Sequence, residues 1–380
     1  MARFRDWPSR RALLVAYVVA GIAAGFVSWA FGQSQNLDVF LQGARDVLTG
    51  ADLYELHSTE WFKYSPTFAL FFVPFLWMPT WLAGSLWSLL NFISTFYGID
   101  AVMKDEREKR IALTVALVGI LVVTDGDQSN LLIGGTMLLG YQALEDGKPW
   151  RFGFYAAVGT LVKIFPVLGL GFLVFHWKKW KAPLAFVLFT VALCFLPLLT
   201  LSWGDFKMEY ASWKRLLSNE SVVNHGWSIM GVFEKGFHWN VRNIWVQGVG
   251  AAILGLPFLK ALKTGSTARE RLSMMASLLM FVILFNHRTE YCTFVVSAAG
   301  LGIWYALGPR TPVHTALLVL AILAPGPIYT AAEPKLQGAF AFLGAHRRFH
   351  SLRMLPLLLV WLWLQKDLLF PRKARSKGPA

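Results

Sequence analysis

The sequence has few charged residues and only two cysteines. Charged residues make up 15% of the 380 residues, whereas soluble globular domains contain about 25%. Both cysteines, Cys194 and Cys292, lie inside apolar segments, which excludes a disulfide-stapled fold. The sequence also lacks the P-loop and GxGxxG nucleotide-binding motifs, the GxSxG motif of serine hydrolases and the HExxH motif of zinc proteases. These absences argue against a soluble domain and against ATP-driven or zinc-protease chemistry.

Long apolar runs dominate what is present. Hydrophobic residues make up 56% of the chain, which contains 17 Trp and 30 Phe. Transmembrane β-strands would alternate apolar and polar residues over segments of about ten residues, but the runs here are continuous. This number of aromatic residues suits helices with aromatic belts at the membrane surfaces. The sequence therefore predicts an all-α polytopic membrane protein with about 10–13 transmembrane helices.

The formal net charge of +14 raises the question of a nucleic-acid partner. However, the basic residues lie in short clusters between the apolar runs, as the positive-inside rule describes for cytoplasmic loops. The pattern predicts no nucleic-acid binding, contacts with anionic membrane lipids, and cytoplasmic N- and C-termini in a multi-pass protein of the bacterial cytoplasmic membrane. The clusters are Arg3/Arg5/Arg10/Arg11, Lys104/Arg107/Lys109/Arg110, Lys178/Lys179/Lys181, Lys260/Lys263/Arg269/Arg271 and Arg372/Lys373/Arg375/Lys377.

The alternation of basic and less basic loops predicts a single membrane domain over residues 1–380. Its first outer loop covers about residues 31–65, its large outer loop about 203–240, and its cytoplasmic tail about 371–380. The apolar stretch 66–78 is too short to span about 30 Å of hydrocarbon. The predicted helices cover about 12–31 (a retained anchor), 80–103, 111–124, 129–144, two halves between Arg151 and Lys178 broken at Lys163 and Pro166, 182–202, 243–262, 271–285, 291–307, 312–324 and 353–370.

The first outer loop begins with the pattern of an amphipathic helix. Apolar residues follow i, i+3, i+4 spacing along one face, and polar residues recur on the opposite face. This pattern predicts an interfacial helix that lies in the membrane plane. Asp38 caps this helix, since Asp is favoured at an N-cap, or acts as a general base; the two roles are compatible. The apolar face holds Leu37, Phe40, Leu41, Ala44, Val47 and Leu48, and the polar face holds Asp38, Gln42, Arg45 and Thr49.

Two further polar features interrupt the apolar runs. Asp125, Asp127, Gln128 and Asn130 lie at the tip of a predicted outer hairpin, where they either form the turn or bind sugar hydroxyls. The Asp-Gly-Asp in this hairpin is not on a soluble nucleotide-binding domain, which disfavours a nucleotide-sugar donor. Lys163 lies inside an apolar run, where a cation is costly and marks function by default. We interpret Lys163 as a phosphate-binding residue, with snorkelling to the membrane surface as the alternative.

A third polar feature is the Asn-His-Arg-Thr-Glu segment at 286–290, between two apolar helices. Its ionisable groups either pair with one another, or His287 and Arg288 bind phosphate while Glu290 orients one of them. His225 in the large outer loop is another candidate contact. The histidines show no metal-ligand spacing, and the sequence predicts neither a metal nor a cofactor.

Several short motifs occur in order along the chain. They are Leu37-Asp38-Val39-Phe40, Gly50-Ala51-Asp52-Leu53-Tyr54, Tyr64-Ser65-Pro66, Gln128-Ser129-Asn130, Lys163-Ile164-Phe165-Pro166 and Lys178-Lys179-Trp180. Together they resemble glycosyltransferase family 87, whose GT-C-type membrane enzymes include polyprenyl-phosphomannose-dependent α-mannosyltransferases. The chain departs from the family pattern at Asp127, where Gly commonly precedes Gln, and at His287, where phosphatidylinositol-mannoside enzymes carry a Trp-linked histidine pair.

The resemblance implies a GT-C-like bundle and an inverting transfer from a polyprenyl-phosphate sugar. In such a reaction the first-loop aspartate, here Asp38, deprotonates the acceptor hydroxyl, and basic and amide residues hold the leaving lipid phosphate. The chemistry agrees, because a base must reach the hydroxyl proton and cations stabilise the charge that develops on the phosphate.

We therefore predict a membrane glycosyltransferase that moves a hexose or pentose, with mannose favoured, from a polyprenyl-phosphate donor to a lipid or glycan acceptor on the extracytoplasmic face. A flippase or transporter of lipid-linked sugars is the alternative, since discontinuous helices often form transporter sites. A structural scaffold of a cell-wall assembly is a third hypothesis. The predicted site consists of Asp38 as base, Lys163, Arg288 and His287 on the phosphate, Gln128, Asn130, Tyr64 and His225 on the sugar, and Glu290, Asp127 and Arg45 as further substrate contacts.

Overall fold

The computed structural model describes residues 7–55, 61–124, 127–176, 178–220, 226–287, 289–326 and 352–371, with the backbone alone at 219–220. This part of the chain is helical apart from its connections and one isolated bridge. The predicted all-α polytopic class is confirmed. The α-helices are α1 Arg10–Ala30, α2 Gln35–Thr49, α3 Pro66–Phe72, α4 Thr80–Val102, α5 Glu106–Val123, α6 Asn130–Glu145, α7 Pro149–Val162, α8 Lys181–Phe195, α9 Trp203–Glu220, α10 Ile229–Gly231, α11 Asn243–Thr264, α12 Ala268–Leu284, α13 Phe294–Leu307, α14 Pro312–Leu323 and α15 Leu355–Leu369.

Within the described residues, four helices are long and apolar enough to cross a membrane. They are α1, α4, α11 and the continuous segment Lys181–Leu199 that begins with α8. Shorter apolar helices include Pro66–Trp77 and Phe165–His176. The short stretch predicted at 66–78 and the break predicted at Lys163 therefore both occur in the structure, since α7 ends at Val162 and a 3₁₀ helix follows from Phe165.

One end of the helix bundle collects basic residues of the predicted cytoplasmic clusters that lie in the described part of the chain. Arg10 of α1 contacts Asp100 of α4 with 2.6 Å between Nε and Oδ1. The loops between other helices meet there in the same way, through ion pairs of Arg269 with Glu108 at 2.7 Å and of Arg271 with Glu145 at 2.6 Å. The opposite end carries α2, the start of α6 and the end of α7. The structure thus has a charged end and a second end where the candidate site residues lie.

Glycines let the helices approach closely. Gly21 and Gly25 are four residues apart on α1, the small-xxx-small arrangement that favours close helix packing in membranes. A Cβ atom at Gly25 would lie 2.3 Å from the backbone oxygen of Gly84 on α4, and one at Gly21 would lie 2.9 Å from the Leu89 Cα. The α1 and α4 backbones are therefore in direct contact, and this contact fixes the entry to the first outer loop.

Two hydroxyl groups at the start of α3 satisfy carbonyl groups near the ends of other helices. Ser65 Oγ donates to the Leu161 carbonyl at 2.6 Å, and Thr67 Oγ1 donates to the Leu193 carbonyl at 2.7 Å. The last carbonyls of a helix lack intrahelical partners, and leaving them unpaired in hydrocarbon is costly. The return of the chain at α3 thus supplies a partner for the end of α7, and it adds a second hydrogen bond to the Leu193 carbonyl, which also accepts the Leu196 N–H.

The first half of the segment predicted as the large outer loop forms the helix α9. The buried face of α9 carries Phe206, Tyr210 and Trp213 at i, i+4, i+7. This is the spacing of an amphipathic helix, so the sequence did contain the signal for it.

Replacing Gly25 with Ala should destabilise the α1–α4 contact, since the new methyl group would overlap the α4 backbone. Overpacking of this kind costs about 1–3 kcal/mol. Gly248→Ala is the matched control, because nothing lies within 4 Å of a Cβ there and Ala is favoured over Gly in a helix. In thermal unfolding of the detergent-solubilised protein, Gly25→Ala should lower the midpoint and Gly248→Ala should not. Equal midpoints for the two variants would contradict the packing described.

Candidate functional site

Helix α2 lies at the second end of the bundle with one face packed. Leu37, Phe40, Leu41, Ala44 and Val47 are buried, as the apolar stripe predicted. Leu48 is an exception, since it is 44% exposed.

The capping interpretation of Asp38 is wrong. The helix begins at Gln35 after Ser34, so Asp38 lies inside the first turn, where its backbone N–H donates to the Ser34 carbonyl. The helix starts earlier than the apolar stripe indicated because its first residues, Gln35 and Asn36, are polar and carry no hydrophobic signal. A carboxylate in the first turn still interacts favourably with the helix dipole.

The Asp38 side chain is exposed on the face of α2 opposite its packed face. Within the described part of the chain its carboxylate has no hydrogen bond and no ion pair. Desolvation by the surrounding protein raises the pKa of Asp38 above its ordinary value, and the positive charge of Arg45 offsets part of this rise. Arg45 is exposed on α2 and donates to Gln42 Oε1 at 3.3 Å. The Asp38 carboxylate is thus accessible, and its raised pKa makes it a stronger base.

Aromatic rings join α2 to the chain that returns from the first outer loop. The ring centroid of Phe40, two residues after Asp38, lies 5.0 Å from that of Tyr64 and 5.1 Å from that of Phe68. Tyr64 and Phe68 stack with 4.4 Å between centroids. Edge and stacked contacts at these distances are favourable. They hold the helix that carries Asp38 against Tyr64.

Lys163 lies above the Tyr64 ring, with 5.9 Å between Nζ and the ring centroid. Its ammonium donates to Asn130 Oδ1 at 2.7 Å. Asn130 is 2% exposed and its Nδ2 donates to the Cys292 carbonyl at 3.3 Å. Ser129, next to Asn130, donates to the Tyr64 hydroxyl at 3.3 Å. The structure therefore brings Tyr64, Asn130 and Lys163 together from three separate parts of the chain.

The backbone at Lys163 explains how a lysine comes to lie there. The residue has extended dihedral angles, φ −145° and ψ 147°, directly after α7. Pro166 disfavours a regular helix across this point, and a Cβ at Gly159 would lie 2.9 Å from its ring. The side chain is half-buried, and its ammonium is directed to Asn130. Ile164, the next residue, is 66% exposed. The helix break thus places a cation beside an exposed apolar surface.

Asp127 and Gln128 differ in their surroundings. Asp127 is 1% exposed and accepts hydrogen bonds from Ser28 of α1 at 3.4 Å and Ser88 of α4 at 3.2 Å. Gln128 is half-buried and lines a small cavity, where Asn91 and Asn130 are also lining residues. Asp127 ties the hairpin to α1 and α4, whereas Gln128 borders this cavity.

The late polar segment pairs with the second half of the large outer loop. Gly226 and Thr289 form an isolated parallel bridge, and the Trp227 N–H donates to the Thr289 carbonyl at 2.6 Å. His287 is half-buried and Glu290 is exposed, and Glu290 Oε2 accepts the Cys292 thiol at 3.6 Å. Since Asn130 bonds the Cys292 carbonyl, this segment adjoins the Lys163 cluster.

Two predicted site residues, His225 and Arg288, lie outside the described residues, as does Asp125. Nothing in the described part of the chain groups three or more His, Cys, Asp or Glu side chains as a metal site would.

Sequence reasoning missed two buried carboxyl groups near the site. Asp46 is 4% exposed on the packed side of α2 and accepts a hydrogen bond from Gln42 Nε2 at 2.8 Å. Because Asp46 is a charged residue, its sequence position did not indicate that its side chain is buried. Glu209 of α9 is 0% exposed. It falls between Phe206 and Tyr210 in the aromatic stripe of α9, which was a usable signal.

Comparison with known protein families gives a match. The model of glycosyltransferase family 87 matches residues 61–286, more than half of the chain. The matched region contains Tyr64, Asn130 and Lys163, whereas Asp38 lies before it and Glu290 after it. No curated protein matches the chain.

Gly226 should tolerate no side chain. Its φ of +53° is strained for other residues, and a Cβ there would lie 2.2 Å from the Thr289 oxygen. Gly226→Ala should therefore lower the thermal midpoint, with about 1–2 kcal/mol lost to the backbone conformation alone. The control is Gly204→Ala, where the nearest atom to a Cβ is 3.6 Å away. A Gly226→Ala protein as stable as this control would show that the bridge to Thr289 is not needed.

Proposed function

The chain belongs to glycosyltransferase family 87 and is a membrane glycosyltransferase, and we propose that it transfers a sugar from a polyprenyl-phosphate donor to a lipid or glycan acceptor at the extracytoplasmic face. The sugar is a hexose or pentose, with mannose favoured by the resemblance of its motifs. The charged end of the bundle faces the cytoplasm of a bacterial cell, in keeping with the positive-inside rule, and the end with Lys163 faces outward.

The observation that supports this proposal most strongly is the surroundings of Lys163. Its ammonium has three protons, and one of them is directed to Asn130 at 2.7 Å. The other two are available to the phosphate of the donor. Beside it, Ile164 and Leu168 are 66% and 42% exposed, an apolar surface that suits the isoprenoid chain. A cation adjoining such a surface is what a lipid phosphate requires.

The reaction we propose is a single inverting displacement. The acceptor oxygen forms a bond to the anomeric carbon while its proton passes to the Asp38 carboxylate. The bond between the anomeric carbon and the phosphate oxygen breaks, and its electron pair leaves with the lipid phosphate. Lys163 stabilises the negative charge that develops on this phosphate. The accessible carboxylate and raised pKa of Asp38 support its role as the base.

The other predicted residues take supporting roles in this proposal. The Gln128 amide in its cavity and the Tyr64 hydroxyl contact the sugar, together with His225. Asn130 is held by Lys163 and Cys292 and positions the ammonium. His287 and Arg288 contact the phosphate, and Glu290 orients one of them. Arg45 contacts the substrate beside Asp38, and Asp127 positions Gln128.

Family membership separates this proposal from the two other hypotheses. A flippase or transporter would leave its substrate chemically unchanged, and a scaffold would need no accessible base. The broken helix at Lys163 is compatible with a transporter, but a family of glycosyltransferases favours a reaction at that break.

Asp38→Asn should abolish transfer without loss of folded protein, because the amide cannot accept the proton. General-base catalysis contributes about 10²- to 10⁴-fold in rate. The assay is transfer of radiolabelled mannose from polyprenyl-phosphomannose in membranes that contain the endogenous acceptor. Asp146→Asn is the control, since it makes the same chemical change at the charged end. Turnover in Asp38→Asn equal to that of Asp146→Asn would refute the assignment of the base.

Lys163→Gln should weaken use of the donor while the protein stays folded. Hydrogen bonds to charged groups contribute about 1.5–3 kcal/mol, so the donor kcat/KM should fall by at least roughly tenfold. The control is Lys214→Gln, which removes an exposed cation from α9. Titration of polyprenyl-phosphomannose at fixed acceptor measures the effect, and a donor kcat/KM unchanged in Lys163→Gln would exclude the proposed phosphate contact.

A further inference from the structure

Helix α9 of the large outer loop is fastened to the first outer loop through a buried carboxyl group. Glu209 is 0% exposed. Both of its carboxyl oxygens face the Leu53 backbone N–H, at 3.4 Å and 3.2 Å. Nearby, Ser212 Oγ donates to Asp52 Oδ2 at 3.4 Å, and Trp213 Nε1 donates to the Lys63 carbonyl at 3.3 Å. Two successive turns of one helix thus contact the two ends of one loop.

The fastened loop leads directly to the candidate site. Asp52 Oδ1 accepts the Tyr54 backbone N–H at 2.9 Å, which closes the turn that Glu209 contacts. The Tyr54 hydroxyl then donates to the Tyr64 carbonyl at 2.8 Å. Tyr64 in turn lies beneath the Lys163 ammonium. A chain of hydrogen bonds therefore runs from α9 through the turn to the ring that supports the cation.

The charges around Glu209 are mostly of its own sign. Asp46 of α2 and Asp52 of the turn face it from the first outer loop, and Asp205 does so from α9 itself. The phenol groups of Tyr54 and Tyr210 are also close. Among the described residues no cation forms an ion pair with Glu209.

Burial and these neighbouring carboxylates raise the pKa of Glu209 to about 8, although its bond with the Leu53 N–H lowers it in part. The ordinary value is 4.5. The carboxyl group is therefore mostly protonated at pH 7 when α9 is docked, which avoids a further buried negative charge.

We propose that Glu209 is a positioning residue that, in its neutral form, docks α9 onto the Asp52-Leu53-Tyr54 turn and thereby holds Tyr64 beneath Lys163. The proposal rests on the proposed function, because it assigns Glu209 to the same site. In this role Glu209 gains or loses only a proton. When α9 is docked, Glu209 keeps its proton up to a higher pH than when α9 is undocked. Docking of α9 is therefore most stable below pH 4.5 and weakens as pH rises toward about 8.

The test compares Glu209→Gln and Glu209→Ala with the unchanged protein across pH 6.5 to 9. Gln keeps an oxygen that accepts the Leu53 N–H and carries no charge at any pH. Transfer by the unchanged protein should fall as pH rises through about 8, whereas Glu209→Gln should lack this fall. Glu209→Ala should lose roughly fivefold or more in kcat at pH 6.5, since it leaves the buried N–H unpaired. The same fall in Glu209→Gln as in the unchanged protein, or full activity in Glu209→Ala, overturns the proposal.

A second measurement is independent of any transfer activity. Trypsin cleaves after lysine, and the Lys63 carbonyl is held by Trp213 when α9 is docked. The rate of cleavage at Lys63 is quantified by mass spectrometry in the unchanged protein and in Glu209→Gln at the same pH. The ratio of the first rate to the second should rise between pH 7 and pH 9. This ratio also cancels the pH dependence of trypsin itself. A flat ratio refutes the role of Glu209, whereas a rising ratio with no sugar transfer at any pH refutes only the proposed function.

Discussion

The hydrogen bond between the Lys163 ammonium and the Asn130 amide is the contact on which the candidate site depends. A cation at a break between apolar helices is stable only if neighbouring groups replace its water. Asn130 supplies an oxygen at 2.7 Å and Tyr64 supplies the face of its ring. Asn130 is itself fixed by the Cys292 carbonyl. The return from the first loop, the hairpin before α6, the end of α7 and the segment before α13 therefore converge on one ammonium group.

The rest of the bundle supports this convergence through ion pairs between helices at its other end. There, Arg10, Arg269 and Arg271 each pair with a carboxylate on another helix. Such pairs contribute little individually when they are exposed. Their main effect is to bring the ends of α1, α4, α5, α6 and α12 together, which leaves the second end of the bundle to the site residues.

Local patterns in the sequence predicted much of this structure. Periodicity predicted the packed face of α2, and the Lys163–Pro166 pair predicted where the helix after Arg151 breaks. The patterns failed where the deciding contact joins distant residues. Nothing local indicates that Asn130 bonds Lys163, or that Glu209 meets Leu53, which is 156 residues away. The start of α2 was misplaced for a related reason, because Gln35 and Asn36 join the helix through backbone bonds that a hydrophobic stripe does not record.

The hydroxyl groups of Ser65 and Thr67 have a consequence for biosynthesis. They donate to the Leu161 carbonyl at the end of α7, which hydrocarbon would leave without a partner, and to the Leu193 carbonyl of α8, which also accepts the Leu196 N–H. Ser65 and Thr67 leave the ribosome about a hundred residues before these carbonyls. When α7 and α8 enter the bilayer, their partners have already been made. The order of synthesis therefore lets the end of α7 be satisfied as it inserts, without waiting for the remainder of the protein.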